Sequence, residues 1–326
     1  MRIVVTGASG FLGRHLVSAL AANGHAGIAV ARDPGALHVQ QAWTTAAREQ
    51  MLGSAVLGAN CVLHLEVKQH VFNPSARDLA EFDAVNVGGT KEWLDWAGSN
   101  GIRRFVYFSS IKAVLPSLTG LTDEFAAGPH PSPYGASKWR AEEAVRQWVK
   151  GNPTRGALIL RPAVVYGPGN QANVAAMVEA IKRGRFFLIG RNENVKSLIS
   201  VGNAIAATRH LLAQMQLGTA EIYNLTDRES FSVRELDRRI RTMLGKDGNS
   251  PSLPLPFARA LALVGDSFFK LTGKSFPINS TRLDALIEPT EFSCAKLLAT
   301  GFVHPEAALT GLIDPVRTEP TNVAKL

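Results

Sequence analysis

Tyr134 and Lys138, four residues apart, are the pair of side chains in this sequence whose spacing best suits acid/base chemistry. On a helix this spacing places the phenol and the ammonium on one face, about one turn apart. A free tyrosine has a pKa of about 10, and a nearby cation favours the phenolate. The pair therefore predicts a tyrosine that moves a proton at a substrate oxygen while a hydride moves at the attached carbon. For the pair alone, the alternative is a surface tyrosine that lies over a lysine stem.

The position of the pair in the chain favours the catalytic interpretation. We predict a helix from about Tyr134 to Val149, and the preceding strand, Arg104 to Phe108, ends in two serines. Ligands bind beyond the carboxyl ends of the strands in doubly wound parallel sheets. A serine there can hydrogen-bond the same substrate oxygen as the tyrosine. We predict this role for Ser110, whereas Ser109 is expected to hold the loop.

A glycine-rich turn near the start of the sequence predicts what carries the hydride. Residues 2–13 read RIVVTGASGFLG, a short apolar strand followed by a predicted helix from Phe11 to Ala22. Glycine permits the tight turn, and it lets the backbone amides at the start of the helix face a pyrophosphate. We therefore predict that Gly7, Gly10 and Gly13 bind a nicotinamide dinucleotide. An ordinary strand-to-helix turn is the alternative.

The order of the predicted elements indicates the fold class. Strand-like and helix-like segments alternate through the first half of the chain, which predicts an α/β fold with a Rossmann-type doubly wound parallel sheet. We place the dinucleotide-binding domain at residues 1–165 and a smaller, mostly C-terminal substrate-binding lobe at residues 166–326. Residues 221–225 are a candidate strand that returns to the sheet. The other predicted elements are strands at 27–31, 61–65 and 157–160 and one long helix at 76–99.

Composition excludes several functional classes. The 326 residues are 46% hydrophobic and 19% charged, which is typical of a globular protein. The net charge is +8, but the cations form no block or aromatic-interleaved stripe, so we predict no nucleic-acid partner. The two cysteines, Cys61 and Cys294, lie far apart, and the histidines are scattered. This pattern predicts no metal site, no disulfide framework and a reducing, cytoplasmic location.

The most apolar stretch, Leu253 to Leu271, is interrupted by prolines and charged residues. The sequence contains no run of about 18 apolar residues, so we expect no membrane span. We interpret this stretch as a buried or lid helix, with a helix on a membrane surface as the alternative.

Together, these motifs resemble the extended short-chain dehydrogenases/reductases, especially the branch of nucleotide-sugar epimerases and 4-ketoreductases. The resemblance covers residues 1 to about 205. It rests on five segments: Thr6–Gly13, Asn86–Thr90, Ser109–Lys112, Tyr134–Lys138 and Arg161–Gly169.

The resemblance implies a role for each candidate residue. Ser110 would orient the substrate oxygen, Tyr134 would be the acid/base, and Lys138 would hold the nicotinamide ribose. The family's second lobe would bind a nucleoside diphosphate-sugar, and a homodimer is expected. The remaining candidates are Phe11, Leu12, Leu65 and Pro162 for the cofactor, and Asn173, Lys196 and Arg282 for the diphosphate of the substrate.

The resemblance also narrows the reaction. Dehydratases of the family carry acidic residues just after the catalytic serine or threonine, where this chain has Ile111 and Lys112. Hydride transfer at one carbon remains. We hypothesise reduction of a UDP-4-keto-6-deoxy-N-acetylhexosamine for surface polysaccharide, with UDP-sugar 4-epimerisation as the nearest alternative. An NADP-dependent reductase of a hydrophobic ketone or aldehyde and a non-catalytic dinucleotide-binding protein are further alternatives.

The choice between NAD and NADP depends on the end of the second strand. An acidic residue usually stands there when the 2′-hydroxyl of NAD is bound, but this chain has Ala31, followed by Arg32 and Asp33. Arg32 could pair with the 2′-phosphate of NADP, which favours NADP, whereas Asp33 could still serve NAD. After the third strand, Glu66 and Lys68 replace the small residues usual in the family; they could narrow the cofactor groove, or Lys68 could reach a phosphate.

Overall fold

A computed structural model describes residues 1–39, 42–56, 58–71, 74–117, 120–126, 128–170, 173–272 and 279–313. The strands in this part of the chain are β1 (Arg2–Thr6), β2 (Ala26–Ala31), β3 (Trp43–Ala47), β4 (Cys61–His64), β5 (Arg104–Phe108), β6 (Gly156–Pro162), β7 (Val164–Tyr166), β8 (Leu188–Ile189), β9 (Val195–Lys196), β10 (Leu198–Ser200), β11 (Ala220–Leu225), β12 (Phe231–Ser232) and β13 (Ser252–Leu253). The α-helices are α1 (Phe11–Ala22), α2 (Arg48–Leu52), α3 (Ala76–Glu81), α4 (Thr90–Ser99), α5 (Pro133–Lys150), α6 (Asn173–Lys182), α7 (Val201–Gln214), α8 (Val233–Met243), α9 (Leu255–Thr272), α10 (Ser280–Ile287) and α11 (Ala295–Ala299).

Seven strands form one sheet in the order β11-β6-β5-β4-β1-β2-β3, and every neighbouring pair is parallel. The chain winds outward in one direction through β2 and β3 and in the other through β4, β5 and β6. The order therefore reverses between β1 and β4, where doubly wound folds bind their ligands. This confirms the predicted fold class, and β11 is the returning strand expected at 221–225. Sequence analysis missed β3.

The central strands are apolar because helices cover both faces of the sheet. On one face, α1 and α7 contribute Leu16, Leu20 and Leu211 to a core that includes Ile3 and Val5 of β1. The other face is covered by α2, α4 and α5, whose buried side chains include Met51, Trp93, Leu94, Val145 and Val149. Burying a side chain of this size stabilises the fold by roughly 1.5–3 kcal/mol.

The helix predicted as one piece at 76–99 is interrupted by a π-helical segment, Phe82–Gly89, between α3 and α4. Ser75 begins α3 with a capping box in which its hydroxyl accepts from the Asp78 amide. Asn86, inside the π-helical segment, donates its side-chain amide to Ser137 Oγ at 2.9 Å. The irregular turn therefore ties this helix to α5, and such π-bulges are frequent at functional sites.

The smaller lobe is built from insertions around the sheet. It contains three two-stranded sheets, β7–β10, β9–β12 and β8–β13, and the helices α6, α8, α9 and α10. It has two small hydrophobic cores, one around Phe231 and Ile240 and the other around Ala258 and Leu283. Both α7 and β11 lie beyond residue 165 but pack on the central sheet. The lobe is therefore interleaved with the dinucleotide-binding part of the chain and does not follow it as one block.

Candidate active site

Tyr134 stands in the first turn of α5. Ser132 begins the helix, and its hydroxyl accepts a hydrogen bond from the Gly135 amide at 3.1 Å. A Cβ at Gly135 would lie 2.2 Å from the Lys112 carbonyl oxygen, so only glycine lets α5 come this close to the loop after β5. The half-buried Tyr134 ring packs edge-on against Phe82, with ring centroids 6.0 Å apart. Backbone packing thus brings the tyrosine beside the loop that carries Ser110.

Ser110 caps a short 3-10 turn at Ile111–Ala113, and its hydroxyl accepts from the Lys112 amide at 3.1 Å. Burial raises the pKa of Tyr134 to about 12, and a hydrogen bond from Ser110 acts in the opposite direction. The structure therefore brings Ser110 and Tyr134 together, as the sequence predicts. The lowering of the tyrosine pKa by Lys138 beside a bound nicotinamide stays a prediction.

Lys138, one turn after Tyr134 on α5, is buried. Its ammonium donates to the Phe108 carbonyl oxygen at 2.7 Å and lies 4.3 Å from the centroid of the Tyr107 ring. Burial lowers the pKa of Lys138 to about 7, although the carboxylate of Glu142 acts in the opposite direction. Lys138 therefore changes charge near neutral pH, which suits a group that stores or passes on a proton.

A buried ion pair that sequence analysis missed fixes the base of this site. Arg161 binds both carboxylate oxygens of Glu142, at 2.9 and 2.6 Å, and both side chains are buried. Ser109 donates to the same carboxylate at 2.6 Å, so it holds the loop, as expected. One network therefore joins the end of β5, the middle of α5 and the end of β6. The available sequence signal was the position of Glu142, one turn after Lys138 on the same helix face.

The glycine turn fits a dinucleotide. Gly7 has φ +65°, and a Cβ there would lie 2.7 Å from the Leu65 carbonyl carbon, so a side chain is excluded. Gly10 is the N-cap of α1 and provides no side-chain acceptor, and the first turn, which contains Phe11 and Leu12, has no acidic residue. The amides at this helix start are thus available to an anion such as a pyrophosphate. Gly13 lies buried in the same helix, and Pro162 ends β6 at this edge of the sheet.

Arg32 and Asp33, the two residues after β2, differ in what their side chains do. Asp33 uses its carboxylate to cap the next turn, accepting from the Gly35 amide at 3.1 Å. Arg32 is exposed directly after the strand. The position suits a contact with the adenosine ribose, and the preference for NADP stays a prediction.

Glu66 and Lys68 do not lie free in the cofactor groove. Glu66 pairs with Arg48 at 2.9 Å and accepts from the Trp93 indole at 3.0 Å. Lys68 pairs with two carboxylates of α3, Asp78 at 2.9 Å and Glu81 at 2.6 Å. The Lys68 ammonium is therefore held by α3, and its contact with a phosphate stays a prediction.

The predicted diphosphate contacts lie around α10. Lys196 donates to the Ala285 carbonyl oxygen at 3.0 Å and to that of Glu288, so its ammonium caps the C-terminal end of α10. Burial lowers the pKa of Lys196 to about 8. Arg282 lies half-buried near the start of the same helix, whose N-cap is Asn279. Asn173 begins α6, but its side chain lies outside the described part of the structure.

A second ion cluster joins α10 to both catalytic loops. The carboxylate of Glu288 binds Lys112, two residues after Ser110, and the His130 Nε2 at 3.1 Å. The other ring nitrogen of His130 lies 2.9 Å from Ser132 Oγ, at the cap of the tyrosine helix. Burial raises the pKa of Glu288, but the hydrogen bonds from His130 and Lys112 outweigh it and hold the pKa at about 2. The smaller lobe is therefore tied electrostatically to the candidate site.

The fold and this arrangement define a Rossmann-type, nicotinamide-dependent oxidoreductase with a serine, tyrosine and lysine at the ligand edge of the sheet. The chain matches the NAD dependent epimerase/dehydratase family over residues 3–226, and it belongs to that family. It is an NAD(P)-dependent enzyme of the epimerase/reductase type.

Individual relatives agree with this assignment. The N-acetyl-alpha-D-glucosaminyl-diphospho-ditrans,octacis-undecaprenol 4-epimerase of Escherichia coli O157:H7 is 31% identical over 269 residues, which are 81% of this chain and 78% of that protein. The UDP-glucuronic acid 4-epimerase of Bacillus cereus, solved with UDP-glucuronic acid and NAD, has a TM-score of 0.74 at 19% identity over 96% of both chains. A human epimerase family protein solved with NADPH has a TM-score of 0.76 at 19% identity, over 96% of this chain and 98% of its own. These two structures share the fold.

Two negative findings complete the description. Among the described residues, no group of three or more His, Cys, Asp or Glu side chains could hold a metal ion. Within the same residues, no helix combines the length and the apolar character needed to cross a bilayer.

Proposed function

We propose that this protein epimerises C4 of a diphosphate-linked N-acetylhexosamine by oxidation and re-reduction at that carbon. The observation that carries the proposal is the hydrogen bond between Ser110, which follows β5, and Tyr134, which lies one turn before buried Lys138 on α5. A single proton-transfer centre of this kind, with a bound nicotinamide as hydride carrier, would suit reversible chemistry at one carbinol carbon.

The loop after Ser110 supports hydride transfer without elimination. Ile111 is buried, and Lys112 is engaged by Glu288. Elimination would need an additional acid and base close to the reacting carbon. Ile111 supplies neither, and the Lys112 ammonium is held by the Glu288 carboxylate.

The proposed roles follow from the surroundings of each residue. Ser110 hydrogen-bonds the C4 oxygen and orients it toward the phenol. As the phenolate, Tyr134 takes the hydroxyl proton while the C4–H bond breaks; as the phenol, it returns that proton when the bond forms again on the other face of the sugar. Because burial raises the pKa of Tyr134, this step needs a positive charge beside the phenol. Lys138, neutral or charged near pH 7, relays the proton and would hold the ribose of the dinucleotide. When bound, the nicotinamide supplies the hydride acceptor and donor.

The name of the Escherichia coli relative, which acts on an N-acetylglucosamine linked through diphosphate to undecaprenol, supports an N-acetylhexosamine diphosphate as the substrate class. The cations near α10, Lys196 and Arg282, are the proposed side chains at the diphosphate end. For Lys196, whose ammonium already binds two carbonyl oxygens, this role requires the third N–H direction of the ammonium.

The test is incubation of the purified enzyme with UDP-N-acetylglucosamine and, in parallel, with a polyprenyl-diphospho-N-acetylglucosamine. We expect conversion of at least one of them to the galacto epimer, detected by NMR of the sugar ring. Tyr134→Phe should lower turnover by about 10²–10⁴-fold while dinucleotide binding stays unchanged. Tyr223→Phe, a second tyrosine on β11 away from this contact, is the matched control. Unchanged turnover in Tyr134→Phe would contradict the proposal.

A second candidate is reduction of a UDP-4-keto-6-deoxy-N-acetylhexosamine with NADPH. Exposed Arg32 after β2 favours it, because NADP suits a reductase that releases its oxidised cofactor. Mass spectrometry of the dinucleotide that co-purifies with the protein distinguishes epimerisation from reduction. A retained NAD supports epimerisation, and an exchangeable NADP with consumption of NADPH by the keto sugar supports reduction.

A further inference from the structure

Helix α9 exposes an apolar stripe along most of its length. Phe257, Leu263 and Val264 are 58%, 63% and 59% exposed, and Phe268 is 40% exposed. With Ala260, these residues recur every three to four positions, so they lie on one side of the helix. The opposite side, with Ala258 and Ala262, is buried against α10 and β8. The helix is therefore buried on one side and exposes large apolar side chains on the other.

The surface next to this stripe is cationic. Strand β8 pairs with β13, which leads directly into α9, so residues 188–190 lie beside the start of the helix and residues 182–187 lead up to them. This segment contains no acidic residue, and it also exposes Phe187. Its exposed cations are Lys182, Arg185 and Arg191, together with Arg183, which pairs with Glu179 of α6, and α9 itself adds exposed Arg259.

The acidic residue of α9 does not interrupt the stripe. The Asp266 carboxylate accepts from the amide and the hydroxyl of Ser280 and so faces α10. A bulky apolar stripe bordered by arginine and lysine is the pattern of a helix that lies in the interface of an anionic bilayer. The helix does not meet the requirements for spanning one.

We propose that α9 and the cationic segment 182–191 dock this protein on an anionic membrane surface. A second copy of the chain fits the same surface less well. A two-fold interface would bring this patch against itself and place Arg185, Arg191 and Arg259 next to their own copies. Anionic headgroups, in contrast, neutralise these cations while the stripe enters the headgroup region.

Docking there would place the candidate active site close to the bilayer. Helix α9 packs on α10, and Glu288, which follows α10 directly, binds Lys112 and His130 in the catalytic loops. A lipid-linked substrate could then reach the site from the membrane side. The docking proposal does not depend on the proposed reaction, because its test measures binding of the protein to vesicles and not turnover.

The test is co-sedimentation of the full-length protein with vesicles of phosphatidylcholine alone and of phosphatidylcholine mixed with phosphatidylglycerol. We expect binding to the mixed vesicles that weakens with added salt. The double variant Leu263→Ser/Val264→Ser should bind about tenfold more weakly or worse, because two large apolar groups no longer enter the interface. Arg185→Gln/Arg191→Gln should also weaken binding to the mixed vesicles.

Val303→Ser is the matched control, since Val303 is 80% exposed and lies outside α9. It should bind vesicles like the wild type. Circular dichroism and Tm, measured on each variant, show that the fold is intact. Absence of binding by the wild type, or equal binding by the α9 double variant, overturns the proposal. Loss of a dimer in the double variant without loss of vesicle binding would assign the stripe to a second copy and also overturn it.

Discussion

At the scale of single residues, Tyr134 and Lys138 show how burial changes acid/base chemistry. They lie one turn apart on α5, but desolvation raises the pKa of the phenol to about 12 and lowers that of the ammonium to about 7. Burial disfavours the charged form of both groups. The spacing of the two residues predicted that they share a helix face, whereas their pKa values depend on what covers that face.

The titration of Lys138 has a measurable consequence for stability. Between pH 7 and 10 the unfolded chain binds a proton at this lysine that the folded chain has released, so this residue makes the free energy of unfolding rise with pH. In Lys138→Met that rise should be smaller, by up to about 1.4 kcal/mol per pH unit. Urea unfolding at a series of pH values measures it. Lys150→Met, exposed at the end of the same helix, should keep the wild-type slope; identical slopes for Lys138→Met and the wild type would contradict the assignment.

Arg32 allows a test of cofactor choice. If it pairs with the 2′-phosphate, Arg32→Ala should weaken NADPH binding by about tenfold or more and leave NADH binding unchanged, because a charge-assisted hydrogen bond contributes roughly 1.5–3 kcal/mol. Calorimetric titration with both dinucleotides measures this. Arg103→Ala is the control, since Arg103 is exposed at the opposite, amino end of β5. An unchanged ratio of the two affinities would remove Arg32 from the cofactor site.

At the scale of elements, the site depends on how β5, α5 and β6 are held together. The ion pair between Glu142 and Arg161 joins α5 to β6, and the hydrogen bond from Ser109 to Glu142 joins both to the end of β5. The elements themselves were predictable from apolar periodicity and from the serine, proline and glycine residues at their ends. The pair was not, because its two members lie 19 residues apart, on a helix and a strand whose relative position is decided by packing.

Removal of Arg161 should therefore be costly. Arg161→Met leaves the Glu142 carboxylate buried without its partner, and we expect a loss of about 3–5 kcal/mol in the free energy of unfolding. Arg183→Met breaks an exposed helix pair with Glu179 and should cost about 0–1 kcal/mol. Urea unfolding of both variants gives the comparison. Equal effects would mean that the buried pair does not hold these elements.

At the scale of the whole molecule, the two lobes communicate through Glu288. It follows α10 in the smaller lobe and binds Lys112 and His130, which lie close in sequence to the proposed catalytic residues Ser110 and Tyr134. We expect Glu288→Gln to lower kcat several-fold, because the loops that carry Ser110 and Tyr134 lose their common anchor. Glu193→Gln, exposed in the same lobe, should leave kcat unchanged.

Acid unfolding separates this positioning role from a catalytic one. Since the folded pKa of Glu288 is about 2 and its ordinary value 4.5, the carboxylate stabilises the fold above about pH 4.5, and this contribution is lost as the pH falls toward 2. Glu288→Gln should therefore lose less stability than the wild type over that range. If Glu288→Gln lowers kcat but loses stability at low pH as the wild type does, the ion cluster around Glu288 is not what positions the two loops.

Local patterns in the chain were enough to predict the parallel sheet, the glycine turn and the helix that carries Tyr134 and Lys138, because each depends on residues close together in sequence. Folding alone decided which side chains complete the site. Lys112 and His130 bind Glu288, from which they are separated by 176 and 158 residues in sequence. Patterns of neighbouring residues cannot predict contacts over such separations. The same holds for α9: its sequence predicted an apolar helix, but which side stays exposed depends on where α10 and β8 pack against it.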